Sequence, residues 1–308
     1  MMSNRFQRRT GRFRAGFGFA LLLTVLILLA LLCDPDVQSR LPWNQSRAPE
    51  TQAEGELTVY FLDVGQGDAA LLRSAGATML IDGGPRDHED NLLADLEELG
   101  VDHLDYMVAT HPHEDHIGGL PGVMERIAVE ECWMPEDAAD TWTYTHFLEA
   151  LETHDVAVAV PQPGDTISFG SCTVTVLAPL SGAEEHNNNS LVLRVVCGET
   201  AFLFTGDMED AEERELLGSG ADLSADVLKV AHHGSRYTTG MEFLRAVSPE
   251  VAVISCGAGN EYGHPHSALL QRLDYLEIKT YRTDQMGTVV IISDGRTLSV
   301  TTEQEVTP

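Results

Sequence analysis

The segment ATHPHEDHIGGL, residues 109–120, holds three histidines and two acidic residues within six positions. His111 and His113 are two residues apart at the end of an apolar run, so both rings can point to the same side. Asp115 and His116 follow in a tight loop, which turns them toward a second position. Zinc accepts imidazole nitrogen and carboxylate oxygen as ligands, and manganese or iron are further candidates. The spacing therefore predicts two adjacent metal positions.

Other metal-competent residues also follow short apolar runs, in LIDGG, LFTGD, KVAHHGS and ISCGAGNEYGHPH. Eight of the twelve histidines lie in the first motif or in the segments HNNNS, HHGS and YGHPH. Active sites are commonly built from loops at one end of a rigid sheet, and this clustering favours a metal centre over isolated structural histidines. Asp207, which ends LFTGD, is the natural bridging carboxylate. Two ions about 3.5–4 Å apart can share a hydroxide for displacement at phosphorus or an acyl carbon.

Strand and helix patterns alternate between these motifs. The predicted strands are LTVYF and ALLRS around a GQG turn, ATMLI, LDYMVA, TISF, SCTVTVLA, SLVLRVVC, TAFLF, DVLKV, VAVIS and GTVVIIS. The predicted helices are HEDNLLADLEEL, with a glycine C-cap signal after it, TYTHFLEALETHD, EDAEERELL, MEFLRAV and HSALLQRLDYL. This mixture predicts an α/β fold in which two sheets pack face to face with helices outside.

The charge of the chain is strongly negative and unevenly distributed. The formal net charge is −29, and residues 57–308 contain 43 of the 48 acidic residues but 12 of the 19 Lys and Arg residues. This balance argues against a broad basic surface that grips nucleic acid through its phosphates. It does not exclude a phosphodiester substrate, because bound divalent metal can supply positive charge locally.

The N-terminal region predicts a membrane anchor. Five arginines lie in residues 1–15, and residues 16–33 form an 18-residue run without a charge, long enough to cross a bilayer. The flanking arginines predict a cytoplasmic tail at 1–15, a single transmembrane signal anchor at 16–33 and an extracytoplasmic remainder. A cleaved signal peptide is the alternative, but no small-x-small cleavage site follows. Residues 34–56 read as a flexible linker, 57–303 as the folded domain and 304–308 as a tail.

The cysteines and the GQG turn support structural interpretations. Cys132, Cys172, Cys197 and Cys256 form no CxxC pair, so a structural zinc knuckle is not expected and buried thiols are. Gln66 is expected to satisfy backbone groups at its own turn. The roles of Asp63 and Asp68 remain open.

The motifs together resemble one known family. THPHEDH is similar to the HxHxDH signature of the metallo-β-lactamase superfamily. With FLDVGQGDA, LIDGG, NNNSLVLR, FLFTGD, LKVAHHGS and NEYGHPH, it resembles the C-terminal hydrolase domain of ComEC-type DNA-uptake proteins over about residues 57–303. The resemblance implies an αββα sandwich.

The resemblance also implies roles for individual residues. The implied metal ligands are His111 and His113 at the first position, Asp115 and His116 at the second, Asp207 between them, and His232 or His233 completing the second, with His232 preferred. The implied catalytic residues are Asp115 and His264, the latter with His266 near the leaving group or a substrate phosphate. Asp82 would orient a ligating imidazole.

One departure from the family pattern concerns the first metal position. Many members supply a further histidine from the loop between Asp115 and Asp207. Here that loop reads EEHNNNSLVLR, in which His186 could serve as the ligand or lie at the surface. Residues 187–189 are asparagines closer to the strand, and asparagine is a weaker ligand.

The sequence thus predicts a membrane-anchored, extracytoplasmic hydrolase with two divalent ions, zinc first and manganese second. Its leading reaction is phosphodiester cleavage as a phosphodiesterase or nuclease, with single-stranded DNA as a candidate substrate in competence. With one hydrophobic run, the chain is not expected to form a DNA channel itself. The alternatives are an esterase or phosphodiesterase for cell-wall choline-phosphate or another small ester, and a binding module without turnover. A β-lactam hydrolase fits the HHGS and YGHPH segments poorly.

Overall fold

Two β-sheets packed face to face form the centre of the structure. It is a computed structural model that describes residues 56–304. The predicted basic tail and membrane anchor, nearly all of the linker and the last four residues lie outside the described residues. Within residues 56–304, no helix is both long and apolar enough to cross a membrane.

Fifteen strands are present within the described part of the chain. They are β1 (Leu57–Phe61), β2 (Ala70–Ser74), β3 (Ala77–Ile81), β4 (His103–Val108), β5 (Ala128–Trp133), β6 (Ala157–Ala159), β7 (Thr166–Phe169), β8 (Cys172–Ala178), β9 (Val192–Cys197), β10 (Thr200–Phe204), β11 (Val227–Lys229), β12 (Val251–Ile254), β13 (Lys279–Arg282), β14 (Val289–Ser293) and β15 (Leu298–Thr302). The first sheet has the order β15-β14-β1-β2-β3-β4-β5-β6, and the second has the order β13-β12-β11-β10-β9-β8-β7.

Both sheets change from antiparallel to parallel pairing at a central strand. In the first sheet β1, β2 and β3 are antiparallel, whereas β3 to β6 are parallel. In the second sheet β7 to β10 are antiparallel, whereas β10 to β13 are parallel. The carboxyl ends of neighbouring parallel strands meet at one edge of each sheet.

The helices lie on the two outer faces or in the loops. They are α1 (Glu89–Glu98), α2 (Glu114–Ile117), α3 (Leu120–Arg126), α4 (Trp142–Thr153), α5 (Asp210–Ser219), α6 (Met241–Val247), α7 (Ser267–Tyr275) and α8 (Thr283–Met286). Short 3₁₀ segments lie at Arg86–His88, His186–Asn189 and Ala231–Gly234.

Alternation of side chains along the strands divides the interior into three apolar layers. On β10, Phe202 and Phe204 face the layer between the sheets, where Phe204 stacks on Phe61 with ring centroids 5.9 Å apart. On the same strand, Leu203 faces the other way and packs in the layer that includes Phe243 of α6. A third layer lies between the first sheet and helices α1 to α4. Three apolar layers between four layers of structure make an αββα sandwich, which confirms the predicted fold class.

The predicted strands and helices are present, and the four short strands β5, β6, β13 and β15 were not predicted. β6 and β15 are the two edges of the first sheet, where side chains are mostly exposed or half-buried. The three residues of β6 are too few to show the alternating pattern that identifies a strand in sequence. β15 does alternate, with Leu298 and Val300 against the layer between the sheets, and the sequence prediction missed it. All four cysteines of residues 56–304 are buried thiols, as predicted.

Glu212, in the first turn of α5, is a buried acid at 2% exposure. Burial, and then the nearby carboxylate of Glu215, raise the pKa of Glu212 well above its ordinary value. Its backbone N–H donates to Oδ1 of Asn188 at 3.1 Å, which ties α5 to the 3₁₀ segment before β9. The fold therefore favours the neutral carboxylic acid at this position.

The Glu212→Gln variant is expected to have a larger free energy of unfolding than the natural chain. This difference is expected to be greater at pH about 8 than at pH about 5. In the unfolded chain the glutamate carboxyl ionises at about pH 4.3, whereas in the folded chain the Glu212 carboxyl keeps its proton to a higher pH. The free energy of unfolding of the natural chain therefore falls, by about 1.4 kcal/mol per pH unit from this group, between the two pKa values. Urea unfolding at both pH values measures this. Glu242→Gln, at an exposed position of α6, controls for the lost charge, and an equal Glu212→Gln effect at both pH values would contradict the interpretation.

Candidate metal centre

Five loops meet at one edge of the sandwich. They follow β3 and β4 in the first sheet and β10, β11 and β12 in the second, and each set is parallel. These loops carry the predicted site residues: Asp82, His111 to His116, Asp207, His232 with His233, and His264 with His266. The topology thus collects the motifs that lie far apart in the sequence.

The carboxylate of Asp207 lies among imidazoles from both sheets. Its Oδ1 is 3.2 Å from Nε2 of His116. Its Oδ2 is 3.4 Å from Nε2 of His233 and 4.0 Å from Nε2 of His111. Ligand atoms of Asp115, His116, Asp207 and His233 all lie within 4.8 Å of one another. This is the position that a bridging carboxylate requires.

His111 and His113 form a second pair of donors beside this group. Nε2 of His111 and Nδ1 of His113 are 3.0 Å apart, and the rings are inclined by 76°. Burial, and then the neighbouring His116, hold the pKa of His111 well below its ordinary value. Burial also lowers the pKa of His113. Both imidazoles therefore favour the neutral form, which is the form that binds metal.

Asp82 orients His116. Its Oδ2 accepts a hydrogen bond from Nδ1 of His116 at 2.8 Å, which leaves Nε2 facing Asp207. Thr110 donates to both carboxylate oxygens of Asp82, through its backbone N–H and its hydroxyl, each at 2.8 Å. Metal-binding histidines commonly have their other ring nitrogen held in this way. The geometry therefore supports the orienting role that the resemblance implies.

The geometry favours His233 over His232 as the ligand that completes the second metal position. Nε2 of His233 lies 3.1 Å from Asp115 and 3.4 Å from Asp207, whereas Nε2 of His232 is 3.7 Å from Asp207 and outside the compact group. Both residues have left-handed backbones, with φ of 48° and 51°. This conformation costs roughly 1–2 kcal/mol per residue, so the orientation of these two rings comes with backbone strain. The sequence could not show which ring would turn inward.

Asp68 and Lys229 lie at the site, although the role of Asp68 was open from the sequence and Lys229 was not predicted. Nζ of Lys229 lies 2.5 Å from Oδ2 of Asp68, and both side chains are buried. Oδ1 of Asp68 lies 3.2 Å from Nδ1 of His233. Burial opposes ionisation of Asp68, but the charges of Lys229 and then His233 outweigh it, so the pKa of Asp68 lies below its ordinary value. A lysine within the apolar strand DVLKV was the available signal, because lysine is rarely buried unpaired.

The GQG turn approaches the metal motif closely. The backbone N–H of Asp68 donates to the carbonyl of Asp115 at 3.1 Å, and a Cβ atom on Gly67 would collide with that same carbonyl oxygen. Gly67 is therefore required by close approach, and not by the turn alone. Gln66 accepts a hydrogen bond from the backbone N–H of Gly257 at 3.1 Å. It satisfies a backbone group as predicted, but on the loop after β12 and not in its own turn.

The donor set fits divalent metal. Among residues 56–304, Nε2 of His116 and Oδ1 of Asp207 are buried without a well-formed hydrogen bond. Four carboxylates gather at the site: Asp68, Asp82, Asp115 and Asp207. Burial disfavours the charged forms of His116 and His233, but Asp207 and the other carboxylates outweigh it and raise the pKa of both well above the ordinary value. The site thus attracts positive charge, and divalent cations can replace these protons.

The metal-competent side chains open into a pocket of about 520 Å³. Its lining consists of Gln66, Pro85, Asp87, His88, His113, Glu114, Asp115, Asn187, Asp207, His232, His233, Tyr262 and His264. The volume lies within the range of about 300–1,000 Å³ that is usual for small-ligand sites.

The later histidines occupy different positions around this pocket. His264 lines it and lies against Tyr262, with ring centroids 5.6 Å apart. Burial, and then the charge of His233, lower the pKa of His264 to about 4. Nδ1 of His266 instead accepts a hydrogen bond from the backbone N–H of Arg236 at 3.1 Å. Nδ1 of His186 lies 2.8 Å from the carboxylate of Asp137.

A family comparison agrees with this geometry. The model of the metallo-beta-lactamase superfamily matches residues 62–258. The chain belongs to the metallo-β-lactamase superfamily. Members of this superfamily are generally hydrolases, and the clusters described above give this member residues that can hold divalent metal.

Two of the similar curated proteins are ComEC-type competence proteins. ComE operon protein 3 of Bacillus subtilis is 32% identical over 260 residues, which cover 78% of this chain and 33% of that protein. Competence protein ComA of Neisseria gonorrhoeae is 33% identical over 277 residues, which cover 87% of this chain and 38% of that protein. The resemblance to ComEC-type proteins is therefore confirmed. The chain spans about a third of the length of these relatives.

Solved structures share the fold at low sequence identity. The metallo-beta-lactamase fold protein YhfI of Bacillus subtilis has a TM-score of 0.53 and 13% identity, covering 77% of this chain and 100% of YhfI. CmlA, a diiron β-hydroxylase from Streptomyces venezuelae, has a TM-score of 0.50 and 16% identity, covering 75% of this chain and 53% of CmlA. At these identities the likeness concerns the fold.

Asp82→Asn is expected to weaken metal binding by about 10- to 100-fold. The amide nitrogen that replaces one carboxylate oxygen is a hydrogen-bond donor, and it would face another donor from Thr110 or His116. Competition with a chelator of known affinity measures the change. Asp210→Asn, at an exposed position of α5, is the matched control. Equal metal affinity in the Asp82 and Asp210 variants would show that Asp82 does not orient a ligand.

Proposed function

We propose that this chain is a metal-dependent phosphodiesterase with a nuclease activity on single-stranded DNA. The observation that carries the proposal is the carboxylate of Asp207, which lies within 4.0 Å of imidazole nitrogens from both sheets, at the base of an open polar pocket. This donor arrangement suits two divalent ions, with zinc first and manganese second. When bound, divalent ions would supply Lewis acidity and lower the pKa of a bound water.

The chain's own residues have separable roles in this proposal. His111 and His113 would hold one ion, while Asp115, His116 and His233 would hold the other. Asp115 has a second role at the pocket face, where its half-buried carboxylate can orient the attacking water.

His264 is the residue best placed for the leaving group. Asn260 fixes the backbone of His264, because its Oδ1 accepts from the His264 N–H at 2.9 Å and its Nδ2 donates to the His264 carbonyl at 2.7 Å. The lowered pKa of about 4 keeps the ring neutral near pH 7. A neutral imidazole can donate its N–H to a phosphate or leaving-group oxygen without adding charge.

The names of the relatives support a DNA substrate. ComE operon protein 3 and competence protein ComA are similar to this chain over most of its length, and competence is the uptake of DNA. The acidic composition disfavours duplex binding through a broad basic surface. A substrate recognised at one diester by the metal ions avoids that difficulty, since the ions neutralise the reacting phosphate.

A small ester, such as a choline-phosphate diester of the cell wall, is the second candidate. The pocket volume of about 520 Å³ favours it, because this is a small-ligand volume. A binding module without turnover is the third candidate, and the nearly complete set of donors disfavours it.

Purified protein prepared without chelator is expected to contain about two metal ions per chain and to hydrolyse bis-p-nitrophenyl phosphate with added zinc or manganese. The Asp115→Ala, Asp207→Ala double variant should lose at least ~100-fold of that activity, because it removes the bridge and one ligand. Elemental analysis and a chromogenic rate assay measure both.

His103→Ala is the matched control for that experiment. His103, Asp105 and Glu130 also gather at metal-binding distance, but at a more exposed place, so this variant should retain the rate. Hydrolysis of a single-stranded oligonucleotide against a choline-phosphate diester separates the first two candidates. Absence of both metal and turnover in the natural chain would refute the two-metal diesterase and favour the binding module.

We further propose that residues 16–33 anchor the chain in the cell membrane as a single span, with residues 57–303 on the extracytoplasmic side. The charge-free run and the five arginines before it support this topology. The protein is expected in the membrane fraction after an alkaline wash and to be digested by protease added to spheroplasts. A cytoplasmic protein of the same cells, which must stay intact, is the control. Protection from protease, or release into the medium, would contradict the proposal.

A further inference from the structure

The three asparagines in the segment His186–Asn189 do different work. Oδ1 of Asn188 accepts from the backbone N–H of Glu212 at 3.1 Å. Oδ1 of Asn189 accepts from the backbone N–H of Ala183 at 2.7 Å, and its Nδ2 donates to the carbonyl of Ala183 at 3.0 Å. These two side chains therefore hold the segment against α5 and against the preceding loop. They leave Asn187 as the amide available to the pocket.

The contacts of Asn187 determine which way its amide points. Nδ2 of Asn187 donates to Oε1 of Glu209 at 3.2 Å. A carboxylate accepts but does not donate, so the nitrogen must face Glu209 and the oxygen must face away. The amide orientation is thus assigned by its partner's chemistry.

Oδ1 of Asn187 is a buried acceptor without a hydrogen-bond partner among residues 56–304. Leaving a buried acceptor unsatisfied is costly, so such an atom calls for a partner of another kind. Asn187 lines the same pocket as His113 and Asp207. Its backbone carbonyl accepts from the hydroxyl of Ser190 at 2.8 Å, and the same hydroxyl accepts from the backbone N–H of Asp207 at 3.1 Å. Asn187 is therefore fixed relative to the bridging carboxylate.

His186 is less well placed for the same purpose. Its ring lies near that of His113, with centroids 5.6 Å apart and planes at 86°, and its Nδ1 is held by Asp137 at 2.8 Å, which leaves Nε2 as the ring nitrogen available to a metal. Its exposure and its place outside the pocket are what disfavour it. About a third of its side chain is exposed, at 32%, and it lies outside the pocket lining. Its position corresponds to a histidine at the rim of the site.

We propose that Oδ1 of Asn187 is the third protein ligand of the first metal position, beside Nε2 of His111 and Nδ1 of His113. This inference rests on the proposed two-metal function. In this proposal, Oδ1 of Asn187 takes the place of the histidine that many superfamily members supply. The amide oxygen is a harder donor than an imidazole nitrogen. Carbonyl oxygen suits manganese better than imidazole does, so this position should be the weaker zinc site and the more tolerant of manganese.

Four variants of the full chain test the proposal. The readouts are the number of metal ions per chain by elemental analysis and the zinc affinity by competition with a chelator. Asn187→Ala is expected to lower the content from about two ions to about one, and to weaken zinc binding at that site at least ~10-fold. His186→Ala should keep both ions. Asn91→Ala, at an exposed position of α1, is the matched control for loss of an asparagine.

Asn187→Asp separates a ligand from a structural role. An aspartate keeps an oxygen for the metal but cannot donate to Glu209, so it should restore the second ion if Asn187 is a ligand. If the amide serves only to hold Glu209, both Asn187 variants should lose the same amount of metal. Far-ultraviolet circular dichroism confirms that each variant is folded before its metal content is compared.

The outcomes distinguish this inference from the proposed function. If the natural chain binds no metal, the two-metal function fails, and this inference fails with it. If the natural chain and Asn187→Ala both bind about two ions with equal affinity, only the role of Asn187 is wrong. Loss of one ion in His186→Ala, with retention in Asn187→Ala, would assign the third ligand to His186.

Discussion

The accumulation of buried negative charge around Asp207 is the constraint on which the site depends. Asp207 comes from the second sheet, and its oxygens lie 3.2 Å from His116 and 4.0 Å from His111 of the first sheet. Carboxylates at this depth are unfavourable without nearby positive charge. The imidazoles and the buried ammonium of Lys229 provide part of that charge, and bound divalent ions would provide the rest. Charge balance at this edge therefore links residues of the two sheets in the candidate metal centre.

Three residues of the site have strained backbone conformations. Asp82, His232 and His233 have φ values of 59°, 48° and 51°, in the left-handed region that side chains other than glycine rarely adopt. The sandwich holds them there: the N–H of Asp82 donates to the carbonyl of Val108 at 2.8 Å, and that of His232 to the carbonyl of Gly206 at 3.1 Å. The packed strands thus offset local strain and aim the rings that the site uses.

The acidic surface and the metal centre fit together in one electrostatic description. A chain with a formal charge of −29 repels a polyanion at long range, while divalent ions attract a single phosphate at short range. Selection of substrate would then depend on access to the pocket and on contacts next to it, such as His264 and Tyr262. In the same way, the donors at each metal position, and not the net charge of the protein, decide which ion is held.

The sequence alone predicted two packed sheets and the residues of the candidate metal motifs, because periodicity and ligand spacing are local properties of the chain. The resemblance of its motifs to known proteins indicated the family and the αββα sandwich. The tertiary structure favours His233 over His232 as a ligand, and it places Asp68 and Lys229 beside the candidate ligands. It also separated Asn187 from its two neighbours of the same type. These outcomes depend on which side chains lie opposite one another across two sheets, and on the direction of each ring or amide. Neither is encoded in spacing along the chain, since both arise only when strands far apart in sequence end at the same edge.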